Sequence, residues 1–316
     1  MAYKGKYDYK SQDDSNENKD CNYDGELSTI PSWANVKFSE IELGDRISGG
    51  GVGIIYKGWW NREPVALKTL FDARISADLK KDYMDELLVM SRLNHSNIVK
   101  FLGACMTPPN LCFIMELCEC SLFQLLHVDR VAFTLTQQFQ AAIDIASAME
   151  YLHSLSPPII HRDLKTHNVL RDYNGSYKIC DFGLVCNKTV AAGTPAYMAP
   201  ELLENRNYNK SVDSYAFGIL LWELFCGEIP FNRLDVPEIR QRVISGKRPS
   251  IPFGMNSRLA DLIARCWHQE PDRRPNFTSI VDELLELEKD IPNMKHTENV
   301  KDSVGDILDG IMSSRK

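Results

Sequence analysis

The order of apolar and polar residues predicts an α+β chain in two parts, a smaller strand-rich part followed by a larger helical one. Three observations carry this reading. Between residues 41 and 115, short β-like runs surround a glycine cluster and a single helical stretch. Beyond Leu122, apolar residues recur mostly at helical spacing. No internal repeat interrupts this order.

Residues 1–32 are rich in Asn, Asp, Lys, Ser and Tyr and almost free of aliphatics. Such a segment cannot bury enough surface to offset its ordering entropy, so a disordered, solvated tail is predicted. Residues 41–43 and 54–56 read as strands flanking a glycine-rich turn, and 65–68 as another strand. Over 78–93, Leu79, Tyr83, Leu87 and Met90 fall at near-i+4 steps, which predicts a helix. Strands are expected at 98–102 and 111–115. Helices follow at 136–154, 213–226, 236–245, 257–267 and 277–287. In an extension over 289–316, Val300, Val304, Ile307, Leu308, Ile311 and Met312 make one apolar face of an amphipathic helix. Docking of that helix on the chain's own core is the plainer reading. A partner site or an autoinhibitory segment is the sharper one.

The 316 residues, 44% of them hydrophobic, suffice for one large or two small cores. A net charge of −7 argues against a nucleic-acid surface, which needs a basic stripe. No apolar run reaches the roughly 18–20 residues that span a bilayer, and the most apolar stretch, 216–225, carries Glu223. The start is polar from Met1, unlike a signal peptide, and Met-Ala departs from the myristoylation pattern. Nine cysteines, scattered through apolar segments, read as reduced thiols in a cytoplasmic protein. Cys118 and Cys120 lack a second ligand pair, so zinc is the weaker reading there.

The run His161-Arg162-Asp163-Leu164-Lys165-Thr166-His167-Asn168 is followed, thirteen residues past Asn168, by Asp181-Phe182-Gly183. Together, in this order, the two segments resemble the catalytic loop and metal-binding turn of the eukaryotic protein kinase family. The resemblance implies a two-lobed kinase fold over residues 40–288, with a β-rich N-lobe (40–117) and a helical C-lobe (121–288). It implies ATP and Mg²⁺ as cofactors. Asp163 would orient the incoming hydroxyl and accept its proton, while Asn168 and Asp181 would hold metal.

Ile47-Ser48-Gly49-Gly50-Gly51-Val52-Gly53 resembles the family's phosphate-covering loop, with Gly50 and Gly53 at the second and third glycine positions. Ser48 replaces the first glycine, and Val52 stands where the tip is often aromatic. The rival is a dinucleotide-binding turn, which needs a helix directly after the glycines; residues 54–60 are β-like instead. Lys68 ends a strand motif and would contact the nucleotide's phosphates. Glu86 is its expected partner, with Asp85 and Asp82 as alternatives. By the same resemblance Ile55 and Ala66 would roof the adenine and Leu170 floor it, although core packing explains all three equally. Met115 would be the gatekeeper, Glu116 to Cys118 the hinge, and Ser121 the ribose contact. Met90, Phe101, His161 and Phe182 would stack between the lobes.

Lys165, two residues past Asp163, suits serine/threonine kinases, as does Thr194 in Gly193-Thr194-Pro195. Tyr197-Met198-Ala199-Pro200-Glu201 and Cys266-Trp267 with Arg273-Arg274-Pro275 are similar to the tyrosine-kinase-like group, including Raf-type and mixed-lineage kinases. Glu201 would pair with Arg274, and Asp213 would anchor the catalytic loop. Arg162 resembles the arginine that receives a phosphate on the activation segment, where Thr189 is the candidate phosphosite. His167 stands where arginine-directed kinases are acidic. Protein substrates with Ser or Thr are expected, as is an upstream kinase; oligomeric state stays open. The alternatives are a tyrosine or dual-specificity kinase and a pseudokinase scaffold. The presence of Lys68, Asp163, Asn168 and Asp181 weighs against the scaffold.

Overall fold

A computed structural model describes residues 35–50, 53–70, 77–107, 110–183 and 193–291. The N-terminal tail, Val52 at the glycine tip, Thr189 and the 297–316 segment lie outside the described residues. Strands β1 (Ile41–Gly50), β2 (Gly53–Trp60) and β3 (Glu63–Leu70) form hairpins in sequence. The β2–β3 turn is Asn61-Arg62, both with positive φ (52° and 68°), the backbone that matches the twist of a two-residue hairpin. Helix α1 (Ala77–Arg92) leads to β4 (Phe101–Thr107) and β5 (Asn110–Glu116). The antiparallel sheet has the order β1-β2-β3-β5-β4. Along β5 the pleat sorts side chains by period two. Leu111, Phe113 and Met115 join the large core with Leu87 and Met90 of α1, whereas Cys112 and Ile114 join a smaller cluster with Val65, Leu67 and Cys105.

Past the hinge, β6 (Cys120–Ser121) runs into a π-helical turn, Gln124–Val128. Helix α2 (Leu135–Ser154) starts at a capping box in which Thr134 and Gln137 satisfy each other's backbone amides. Strands β7 (Val169–Arg171) and β8 (Tyr177–Ile179) complete a small antiparallel sheet, β6-β7-β8. Four helices follow the short α3 (Pro200–Leu203): α4 (Ser211–Cys226), α5 (Val236–Ile244), α6 (Ser257–Cys266) and α7 (Phe277–Lys289). Helix α4 is buried on nearly every side, as its mostly apolar sequence requires, and it carries Asp213 and Glu223 buried within it. It approaches α6 so closely at Gly218 that a Cβ there would lie 2.8 Å from Cys266 Cβ.

Two readings of the sequence are corrected. Residues 98–100 are not strand. Ile98 instead makes an isolated parallel bridge to Ile179, Val99 N donates to Ile179 O at 2.9 Å, and β4 begins at Phe101. Its β-like apolar run reflects burial between lobes rather than membership of the sheet. The helical reading past Leu122 missed β7 and β8, and β6 just before it also went unread; their two or three residues are too few to show a period.

Glu201 of α3 and Arg274 form a bidentate pair at 2.6 and 2.9 Å, both side chains at most 1% exposed. Arg274 also donates to the carbonyls of His268, Ser211 and Gln269. Removing one partner strands a buried charge. Arg274→Ala should lower stability by about 3–5 kcal/mol, read from the urea midpoint, and Glu201→Ala in the same chain should restore part of it. An unchanged midpoint in Arg274→Ala would count against the pair as a tie between these segments.

Candidate active site

The cleft between the sheet and the helical part gathers most of the residues singled out above. Lys68 of β3 faces Glu86 of α1, Nζ to Oε1 at 2.6 Å, and Asp181 Oδ1 at 3.3 Å. The phase of α1 buries Glu86 beside Leu87 and Met90, which is why Glu86 rather than Asp85 meets the lysine. Burial alone would lower the lysine's pKa and pushes the Glu86 carboxyl up. The two facing carboxylates outweigh it for Lys68, whose pKa rises above its usual value. Desolvation also works against the Asp181 charge, yet Lys68 beside it holds that carboxyl below the ordinary range. Asp181 sits at φ 66°, a left-handed backbone rare for a residue with a side chain.

The catalytic loop is fixed from below. Asp213 of α4 is fully buried. Its Oδ2 accepts from His161 N and His153 Nε2, each at 2.9 Å, and its Oδ1 accepts from Arg162 N at 2.8 Å. Arg162 takes φ 63°. The His161 ring accepts Asp163 N–H at Nδ1 (3.3 Å), so its Nε2 carries the proton and donates to Cys180 O at 3.2 Å. His161 packs edge-on against Phe182 with centroids 5.3 Å apart. Met90, Phe101 and Phe182 are buried in the same core.

Asp163 Oδ2 accepts from Lys165 Nζ at 2.7 Å and from Asn168 Nδ2 at 2.9 Å. Lys165 Nζ also donates to Thr194 Oγ1 at 3.0 Å. With Oδ2 doubly engaged, Oδ1 is the oxygen left for an incoming hydroxyl. Gly193 (φ 141°) lies beside it, and a Cβ there would be 3.9 Å from Oδ1. Asn168 Nδ2 donates again to Asp163 O at 2.8 Å, so its amide oxygen is the atom free to ligate.

The nucleotide-side residues line the opposite wall. Ile47 and Ser48 are exposed on β1, Gly50 pairs with Gly53, and Ser48 pairs with Ile55. Ile55 is opposite Lys68, and Ala66 is opposite Met115, which is buried. Glu116 accepts from Lys100 N at 2.7 Å and pairs with Lys178 at 3.0 Å. Burial pushes the Cys118 thiol up to about 12. Leu170 pairs with Ser121 across β6 and β7. Ser121 Oγ accepts Gln124 N at 3.1 Å, capping the π-helical turn.

Two groups escaped the sequence reading. Glu223, fully buried, accepts from His127 Nε2 (2.8 Å), Thr166 Oγ1 (3.0 Å) and the Tyr197 hydroxyl, tying the turn after the hinge, the catalytic loop and the segment around Thr194 to α4. Tyr208 meets Arg162, whose guanidinium donates to its hydroxyl at 2.9 Å. A charge inside an apolar run was the only local trace of the first, and the second has none. His167 stacks on Phe123 with centroids 3.7 Å apart. Its cover and nearby Lys165 hold the imidazole below its usual pKa.

Residues 41–284 match the family model described as protein tyrosine and serine/threonine kinase. A probable serine/threonine-protein kinase of Dictyostelium discoideum is 40% identical over 80% of this chain and 28% of its own length. The serine/threonine-protein kinases STY46 and CTR1 of Arabidopsis thaliana are 36% and 37% identical, over 81% and 86% of this chain. The chain spans 46% and 34% of their lengths, less than half of each. It belongs to the protein tyrosine and serine/threonine kinase family, with STY- and CTR1-type kinases of the tyrosine-kinase-like group among its relatives.

Proposed function

We propose that this chain transfers the γ-phosphoryl group of ATP to serine or threonine hydroxyls of protein substrates, using Mg²⁺. The observation that carries this reading is the cluster of Asp163, Lys165 and Thr194, with one Asp163 oxygen left open. Asp163 Oδ1 orients the substrate hydroxyl and takes its proton as the new O–P bond forms and the bond from the γ-phosphorus to the bridging oxygen breaks, releasing ADP. Lys165 neutralises charge on the transferred group from the side of Thr194. Lys68, held by Glu86, neutralises the non-transferred phosphates. The glycine-rich hairpin with Ile47, Ser48, Gly50 and Gly53 covers them. Ile55, Ala66 and Leu170 enclose the base, Met115 closes the back of the slot, and the backbone of Glu116 to Cys118 supplies its hydrogen bonds, with Ser121 beside the ribose.

The donor set suits a hard cation. Asp181 is ionised and half-exposed, and the Asn168 amide oxygen is uncommitted; both are oxygen ligands of the kind Mg²⁺ takes. When bound, the ion supplies charge neutralisation between the phosphates. His167, covered by Phe123 and held towards its neutral form, gives no carboxylate with which to select arginine. Free thiols at the seven described cysteines favour a cytoplasmic setting.

Purified chain, radiolabelled ATP, Mg²⁺ and a generic protein substrate test the reading, followed by phosphoamino-acid analysis. Wild type should yield phosphoserine or phosphothreonine, and Asp163→Asn should not. Phosphotyrosine would transfer the chain to the tyrosine or dual-specificity class. Folded, nucleotide-binding wild type without transfer would favour a scaffold.

Two further outcomes are expected. Glu86→Ala leaves Lys68 to Asp181 alone and should cost about 100-fold in kcat, the scale of one lost preorganised charge contact; full activity in steady-state assays would dismiss Glu86 as the holder of Lys68. If Thr189 is a stimulating phosphosite, Thr189→Ala should lose the increment in rate that prior phosphorylation gives. A variant still stimulated to the wild-type level would remove Thr189 from that role.

A further inference from the structure

Arg46 and Gly49 lie three residues apart on β1, a spacing that sets two positions on opposite faces of a regular strand. Strand β1 is not regular there. Its register against β2 shifts on both sides of Arg46, so that Arg46 pairs with Tyr56 while Gly49 pairs with Ile54. Tyr56 and Ile54 are two residues apart and share a face of β2, so Arg46 and Gly49 share that face too. The exposed Arg46 side chain uses this alignment. A Cβ at Gly49 would lie 2.0 Å from Arg46 Nη2, 2.7 Å from Cζ and 2.9 Å from Nε. Three atoms of one planar group at this range seat the guanidinium directly on the glycine, which admits it because it has no Cβ. Ile55, between Ile54 and Tyr56, is opposite Lys68. The face of Arg46 is therefore the outer one, away from Lys68. Past Gly49 the two arms pair through Gly50 and Gly53. Thr69 Oγ1 of β3 donates to Ile54 O at 3.0 Å, which holds the β2 arm, while Arg46 holds the β1 arm.

We propose that Arg46 is a positioning residue for the nucleotide: its guanidinium, seated on Gly49, holds the β1 arm of the glycine-rich hairpin in place and slows nucleotide release. Gly49 is then a glycine in order to admit that guanidinium, unlike Gly50 and Gly53, whose positions match the phosphate-covering pattern. Arg46 acts through Gly49 from the outer face and does not itself meet the nucleotide. The inference rests on the reading of this hairpin as the cover of the nucleotide phosphates.

The probe is methylanthraniloyl-ADP with Mg²⁺, whose dissociation from the full chain is followed by stopped-flow fluorescence during displacement by excess ATP. Arg46→Ala should raise the dissociation rate about threefold, the scale of an exposed guanidinium contact. Gly49→Ala should raise it equally, because the added methyl takes the place of the guanidinium and the long side chain swings into solvent. That variant keeps the arginine's charge, so the matching effect separates seating on Gly49 from attraction at a distance. The double variant should be no faster than either single one, with the melting temperature of the nucleotide-free protein unchanged in all three. A merely structural arginine, or a glycine needed only for phosphate approach, would not give this pattern. A wild-type rate in Arg46→Ala would overturn the proposal, as would a double variant in which the two effects multiply to about ninefold. A faster release that follows a lowered melting temperature would also overturn it. Folded wild type that binds no labelled nucleotide would instead overturn the reading of the hairpin as a nucleotide cover, and this proposal with it.

Discussion

The buried carboxylate of Asp213 is the constraint on which the site depends. A fully buried charge persists only when its lone pairs are filled, and here the backbone amides of His161 and Arg162 and the imidazole of His153 fill them. That requirement forces Arg162 into a left-handed conformation that its side chain would otherwise avoid. The turn so produced presents Asp163 towards Lys165 and Asn168 and sets the His161 ring to accept the Asp163 amide. Helix α4 thus acts as a platform. Its apolar sides anchor it in the core, while Asp213 near one end and Glu223 near the other hold the catalytic loop in place from beneath.

Charge is distributed unevenly across the cleft, and the distribution has chemical content. Lys68 is flanked by two carboxylates, so its ammonium is retained despite burial. Asp181 is kept ionised by the same lysine. Around Asp163 the donors converge on one oxygen only, and the neighbouring position is glycine. One side of the carboxylate is thereby held and the other left accessible, an asymmetry that a proton acceptor needs and a purely structural aspartate does not.

The sequence made local features legible and distant pairings opaque. The resemblance to the kinase family pointed to Glu86, and the structure gives the physical reason, its burial beside Leu87 and Met90; the β-like residues after Gly53 distinguished a hairpin from a dinucleotide-binding turn. Ile98 misled because its partner, Ile179, lies on another lobe, and burial there mimics a strand. Strands β6 to β8 are too short for a period. Glu223 looked like a blemish in an apolar run because its three donors come from three separate segments. Tyr208 carries no sequence mark at all, since its meeting with Arg162 is a product of the tertiary fold alone.

The bridge at Ile98 and Val99 has a mechanical consequence. Val99 N bonds Ile179 O, and Ile179 N bonds Asn97 O, each at 2.9 Å. These two bonds lie where the chain re-enters the sheet, across from the strand that carries Leu170. The β1–β2 hairpin lies at the other end of the sheet order from β4, the strand that this re-entry leads into. A body clamped along one edge opens like a book on its spine. Displacement grows with distance from the clamp, so for any rotation about it the glycine-rich edge, at the other end of the sheet order, would travel farthest.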